Sequence, residues 1–308
     1  MQPARLPEEL MREGMRLGRV VELWRYPVKS MGGERLPEAA LVTGGLAGDR
    51  HWAVKERQIR TGKQWPALLR LRARYLREPR AEDHGAQVAP VEILSPDGSR
   101  CCSDEPRIDA WLSAQLQKTS SLKARQPASE TGHYRRAGAV TEADVKAEIA
   151  LQPGEAMPTF DVPADLLTLL HEYATPPGFY YDAYPLHLLT TDSLRRLREC
   201  SGLDTDVRRF RPNLLVHTDQ EAAALTEFDW IGRDLAVGEA VLRIESRTIR
   251  CTMPSRAQPL FGLEEQKSMT RAIVDHVSRE LGVNVRVLRA GRVREGDSVN
   301  MLDQGVAS

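Results

Sequence analysis

Along much of this chain, apolar and polar residues alternate in short runs broken by Gly, Pro, Asn and Asp, the pattern of half-buried strands. "GRVVELWRYPVKS" (18–30) predicts a strand ending at Tyr26-Pro27, and "ERLPEAALVTGGLAGDRHWAVKE" (34–56) two short strands around a Gly-rich turn at 44–48. "TGKQWPALLRLRARYL" continues with β-compatible residues, and Asp97-Gly98 within "VAPVEILSPDGSRCCS" marks a hairpin. Helical spacing first appears in "EPRIDAWLSAQLQ" (105–117). Residues 125–163 are rich in Ala, Gly, Pro, Glu and Arg with little period, and are expected to form a long, partly mobile connection.

The second half mixes the two periods. "PADLLTLLHEYA" (163–174) predicts a short amphipathic helix. In "YYDAYPLHLLTTDSLRRLRECSG" (180–202) a strand leads into a helix opened by Thr191-Asp192-Ser193 and closed near Gly202. "FRPNLLVHT" predicts a strand, and "DWIGRDLAVGEAVLRIESRTIRC" a hairpin turning at Gly238. "EEQKSMTRAIVDHVSRELG" (264–282) is expected to be the longest helix, stopped by Gly282, and "VNVRVLRAGRVREGDSVNML" gives two final strands. No internal repeat or low-complexity tract interrupts this order.

A length of 308 residues fits about two domains. Hydrophobic residues at 41% and charged ones at 28% describe a globular chain, and 43 basic against 43 acidic residues leave no net charge. That balance argues against a nucleic-acid or membrane-surface binder but leaves room for a local basic pocket. The first residues contain no apolar signal core and no run is long enough to span a membrane, so a cytoplasmic location is expected. The four cysteines, Cys101, Cys102, Cys200 and Cys251, form no CxxC pair, no disulfide framework and no spacing suited to an iron–sulfur cluster.

Five motifs could carry chemistry, each with an ordinary alternative. Lys29-Ser30 after a strand can hold a phosphate or can be a solvated turn. Arg50 after a Gly-rich turn can fork onto an anion or pair with Asp49. Thr190 and Thr191 open a helix, where hydroxyls and free N–H groups bind anions or simply cap, while Asp192 would repel an anion. "RRFRPNLLV" (208–216) gathers Arg208, Arg209 and Arg211 around Phe210. Pro212 is expected to hold Arg211 extended, aimed in one direction, with Asn213 entering a strand. Cys251, in "RTIRCTMPS", is either a small buried hydrophobe or a thiolate supported by Arg247 and Arg250. A single thiolate is too little for a bare metal ion but enough where an organic cofactor supplies the other donors.

In this order the motifs resemble the MOSC superfamily, the molybdenum-cofactor sulfurase C-terminal domain group, in the two-part form shared by the mitochondrial amidoxime-reducing component and its bacterial relatives. "VVELWRYPVKSMGGERL", "GLAGDRHWAV" and "TGKQWPAL" carry the first part. "RRFRPNLLV", "FDWIGRDLAVGEAVLRI", "RTIRCTMPS" and "GRVREGDSV" carry the second. The resemblance implies a β-rich α+β protein: an N-terminal β-barrel domain over 15–120, a connecting segment over 121–160, and a MOSC β-barrel domain with inserted helices over 161–305. It implies the molybdenum cofactor, Mo-molybdopterin, with Cys251 as the metal ligand beside the pterin dithiolene. Lys29, Ser30 and Arg50 would meet the phosphate, Arg209, Arg211, Asn213 and Arg250 would line the cofactor cleft, and Thr190 and Thr191 would add hydroxyl contacts. Asp192, or Asp49, would relay a proton.

The implied activity is reduction of N-hydroxylated small molecules by oxygen-atom transfer. The alternative is a non-catalytic carrier of the cofactor, or of sulfur as a Cys251 persulfide. Two positions depart from the family's habit. Thr248 stands where many relatives have a second cysteine, and "SRAQPLFGLEE" replaces the "VDPxTG" segment expected on the substrate side. With no ferredoxin-like cysteine tail, electrons would come from a separate donor of ferredoxin, flavoprotein or cytochrome type.

Overall fold

A computed structural model describes residues 14–219 and 225–303. Its largest element is a closed, mixed seven-stranded barrel. In order around the barrel the strands are Leu214–Thr218, Leu186–Thr190, Glu280–Arg289, Ala240–Ile249, Asp234–Val237, Ser298–Met301 and Arg16–Arg25. The last pairs back onto Leu214–Thr218 and closes the ring, which abolishes free edges. Only the contact between Leu186–Thr190 and Leu214–Thr218 is parallel. Alternation fills the interior: Val20, Leu23, Leu188, Val216, Leu242, Ile244, Val283, Val285 and Val299 are all fully buried in one cluster.

The strand Arg16–Arg25 joins the two halves of the sequence. Its first residues complete the barrel, and Leu23, Trp24 and Arg25 pair with Leu36, Arg35 and Glu34. A second core, containing Val28, Val54, Leu68, Val91, Ile93 and Leu112, forms under the sheet Arg72–Tyr75, Val91–Leu94, Arg100–Cys102 and the helix Ile108–Leu116. The hairpin at Asp97-Gly98 forms as expected, with Gly98 at positive φ. Gly291–Arg294 returns from the C-terminal side to pair with Glu38–Val42, so the halves also share a sheet. The protein is thus a β-rich α+β fold, as the alternation predicts.

The helix Thr191–Ser201 follows its barrel strand directly and ends at the left-handed Gly202, as its sequence predicts. Three expectations differ. The predicted helix over 264–282 is confined to Met269–Val277, and the longest helix among the described residues is Thr191–Ser201. Gly282 does not stop a helix; it lies inside the barrel strand Glu280–Arg289 at positive φ, where any Cβ would collide with the His187 ring. The connection over 125–163 carries secondary structure that its lack of period did not predict. It holds the short helix Thr131–Tyr134 and the helix Glu142–Ile149, whose start is fixed by a Thr141–Asp144 capping box.

Candidate functional site

Between the barrel and the first part lies a cleft of about 350 Å³. Eight of the candidate residues from the sequence line it: Lys29, Ser30, Arg50, Arg209, Arg211, Arg247, Arg250 and Cys251. They arrive from four places: the turn after Arg16–Arg25, the turn before Trp52–Lys55, the loop into Leu214–Thr218, and the end of Ala240–Ile249. In a chain of no net charge, the lining carries eight Lys or Arg side chains against three carboxylates. Its deep end is cationic, and Lys29, Arg209, Arg211 and Arg250 are nearly fully buried.

The backbone is bent to aim these groups. Ser30, Arg50 and Arg211 all have left-handed φ, at 66°, 52° and 58°, a conformation non-glycine residues seldom adopt. Arg211 is therefore not extended, despite the following Pro212. It caps the short helix Val207–Phe210 with its N–H on the Val207 carbonyl, and its guanidinium donates to Met31 O at 2.6 Å and stacks 4.1 Å from the Tyr26 ring centre. Arg50 lies over the same ring at 5.5 Å and pairs with Asp49, so the ordinary alternative for Arg50 also holds. Arg250 donates to Phe210 O at 2.7 Å and reaches His187 Nε2 at 3.3 Å. Burial pushes the Arg250 and Arg211 pKa values down, and burial followed by the Arg250 charge keeps His187 neutral.

These arginines are not fully partnered. Arg209 Nε, Arg211 Nη2 and Arg250 Nε are buried donors without a hydrogen-bond partner. Burying a cation with an unused N–H is costly, and an anion in the cleft removes that cost. Cys251 lies at the edge of the same cleft as a free, half-buried thiol. Among the described residues no three His, Cys, Asp or Glu side chains converge to hold an ion, so the cleft has one cysteine sulfur for a soft metal, beside incompletely partnered arginines. Such a donor set fits a cofactor that brings its own sulfurs and a phosphate.

Lys63, Asp182 and Glu148 were not foreseen. The Lys63 ammonium lies 3.2 Å from Glu148 and 3.9 Å from Asp182, and Asp182 also pairs with Lys29. Desolvation in the cleft pushes the Asp182 carboxyl up, modestly for a side chain 59% exposed, and the Lys29 and Lys63 charges outweigh it and hold the group below the usual carboxylate range. Burial alone would depress Lys63, yet Asp182, Glu148 and Cys251 raise it. Gly62 permits this turn's close fit, since a Cβ there would stand 3.1 Å from Met253 Cε and 3.3 Å from Ser30 Cβ. Glu148 closes the arrangement: its side chain meets Lys63 and its carbonyl accepts the Thr252 N–H at 3.0 Å, beside Cys251. The sequence signals were modest: a Thr-Gly-Lys turn and a lone Asp between tyrosines.

Four expected residues lie outside the cleft lining. Thr190 caps its helix, and its hydroxyl and that of Ser193 each donate to the buried Glu227 carboxylate at 2.8 Å. The buried Glu227 side chain, its carboxyl pKa raised by burial, thus fills that helix start from within. Asp192 is buried against Thr218 and pairs with Arg195, and Thr191 meets His217 at 3.1 Å. Asn213 ties barrel strands together, accepting from the His187 N–H and donating to Trp24 O, both at 3.2 Å. "SRAQPLFGLEE" also lies off the cleft. Phe261 packs edge-on to Trp24, with Arg72 and Arg208 each 5.0 Å from its ring centre.

A MOSC N-terminal beta barrel domain matches residues 17–119 and a MOSC domain matches residues 177–300. A mitochondrial amidoxime reducing component 2 of Bos taurus is 24% identical over 94% of this chain and 84% of its own. Among solved structures, the YUAD protein of Bacillus subtilis aligns over 92% of this chain and 94% of its own, at 12% identity and a TM-score of 0.42. YiiM of Geobacillus stearothermophilus aligns over 40% and 57%, at 18% identity and a TM-score of 0.31.

Proposed function

We propose, from the premise that this chain is a MOSC-superfamily protein carrying both the N-terminal and the MOSC parts, that it is a molybdenum-cofactor enzyme reducing N-hydroxylated small molecules. The observation that carries the reading is the convergence of Cys251 with buried, incompletely partnered arginines in one cleft. The likeness to an amidoxime reducing component supports the choice of substrate class.

When bound, the cofactor supplies oxygen-atom transfer and two-electron chemistry at molybdenum. The chain's own residues bind and orient. Cys251 would give the thiolate ligand. Lys29, Ser30 and Arg50 would take the phosphate, and the free N–H groups of Arg209, Arg211 and Arg250 would complete its hydrogen bonds. Asp182 bridges Lys29 and Lys63 and would turn the ammonium groups toward the bound anion. Among the described residues, no helix is long and apolar enough to cross a membrane. The proposal includes a cytoplasmic setting and a separate electron donor of ferredoxin, flavoprotein or cytochrome type.

The test is metal and pterin content after production in a host able to make the cofactor, followed by reduction of an amidoxime with an artificial electron donor. Molybdenum near one per chain, lost in Cys251→Ala, with reductive turnover, is the expected result. Cofactor without turnover moves the chain to the carrier reading. Wild-type molybdenum in Cys251→Ala ends the ligand assignment.

A further inference from the structure

The cleft changes character from its deep end to its mouth. Deep inside, Lys29, Arg211 and Arg250 are at most 8% exposed. Toward the mouth the lining becomes mainly apolar, with Phe160, Val162, Leu167 and Leu170 beside the single carboxylate of Asp161. Phe160 and Leu167 are 38% and 36% exposed, and with Met157 they are three of the six large apolar side chains left exposed among the described residues. No residue of the helix Ala164–Glu172 is buried, although four of its nine residues are leucines. Such a concentration of open apolar surface beside a site marks a binding surface.

The C-terminal end of this wall is tied to the connection before it. Arg136 donates to Leu170 O at 2.9 Å through its side chain and to Glu172 O at 3.1 Å through its backbone, and the Ala174 N–H reaches Tyr134 O at 2.9 Å. It also lies in the stretch between the two family matches, which end at 119 and resume at 177. The segment after Cys251, expected on the substrate side, packs elsewhere, while residues of 160–170 line the cleft.

We infer that Phe160, Val162, Leu167 and Leu170 form a subsite for the apolar body of the substrate, so that this chain selects N-hydroxylated compounds carrying an aryl or long alkyl group over small polar ones. The inference rests on the reductase reading for the polar head and on the wall alone for the body. Burying a phenyl group in place of a methyl group against such a surface is worth about tenfold or more in affinity.

The test is calorimetric binding of benzamidoxime and acetamidoxime, which share a head and differ in body, to the full-length, cofactor-loaded protein. Benzamidoxime should bind at least about tenfold tighter. Leu167→Glu and Phe160→Ser, both at exposed positions, should each cut that preference at least about threefold and leave acetamidoxime unchanged. Equal affinity in the wild type, a preference unchanged in both variants, or equal losses for both probes would overturn the subsite. Turnover is read separately. A phenyl preference in binding without reduction of either compound supports the subsite and sinks the reductase reading.

Discussion

Arg25 and Arg211 are buried to a similar degree, 3% and 8% exposed, and keep opposite company. Arg25 donates to Glu34 at 2.9 Å and to both oxygens of Glu78 at 2.6 and 3.2 Å. Burial depresses its pKa, but these two carboxylates outweigh it and raise the value overall. Arg211 has a carbonyl, an aromatic face and an unused Nη2, and burial lowers its pKa. The first is a completed internal ion pair. The second is a buried cation with a donor to spare, the feature on which the proposed anion site rests.

The sharpest way to break this contrast is to remove Arg25. Arg25→Met strands Glu34, which is 17% exposed, beside the buried strand end, while the largely exposed Glu78 returns to water. Removing one partner of a buried pair costs about 3 to 5 kcal/mol, and the exposed second carboxylate puts this case near about 3. Urea unfolding should show the loss with or without cofactor. A variant as stable as wild type would remove Arg25 from the structural side of the comparison.

Buried imidazoles extend the contrast to pH. His51 is 3% exposed, has an unpartnered Nδ1, and is pushed down to about 2 by burial and then by the Arg125 charge. Its folded pKa lies below the unfolded value of about 6.5, so the unfolded chain binds the extra proton and stability falls as pH drops below about 6.5. At pH 5 this amounts to about 2 kcal/mol. His51→Gln should flatten the fall between pH 7 and 5 in denaturant titrations. An unchanged slope would assign the acid sensitivity to other groups, His187 first among them.

The alternating strands and the Asp97-Gly98 hairpin were legible because period and turn chemistry act locally. Lys29, Arg50, Arg211 and Cys251 each stand at the end of a strand or in a turn, which singled them out, but their meeting in one cleft could be seen only in the fold. What local reading missed was set by distant partners. Thr190 could cap or bind an anion, and Glu227, 37 positions away, decides for the cap. Gly282 follows a helical run and reads as a stop, yet His187 requires its missing side chain. Lys63 and Asp182 acquire meaning only when the cleft brings them to Lys29. The amphipathic period of Ala164–Glu172 was legible, but not that its apolar residues would line a cleft and bury none of themselves in a core.

The smallest expected stability change is the most informative. Arg211→Met removes one charged hydrogen bond to Met31 O and the stacking on Tyr26, which destabilises, and removes a buried cation with an unused donor, which stabilises. Terms of opposite sign and similar size leave the cofactor-free protein within about 1 kcal/mol of wild type. Anion binding has no such offset. Inorganic pyrophosphate, titrated calorimetrically into cofactor-free protein, should lose about tenfold in affinity, the worth of one charge-assisted hydrogen bond. Arg211→Lys should recover only part of it, because an ammonium lacks the planar fork that both stacks on Tyr26 and donates. A stability loss comparable to that of Arg25→Met, with pyrophosphate affinity unchanged, would make the two arginines alike and place the anion elsewhere in the cleft.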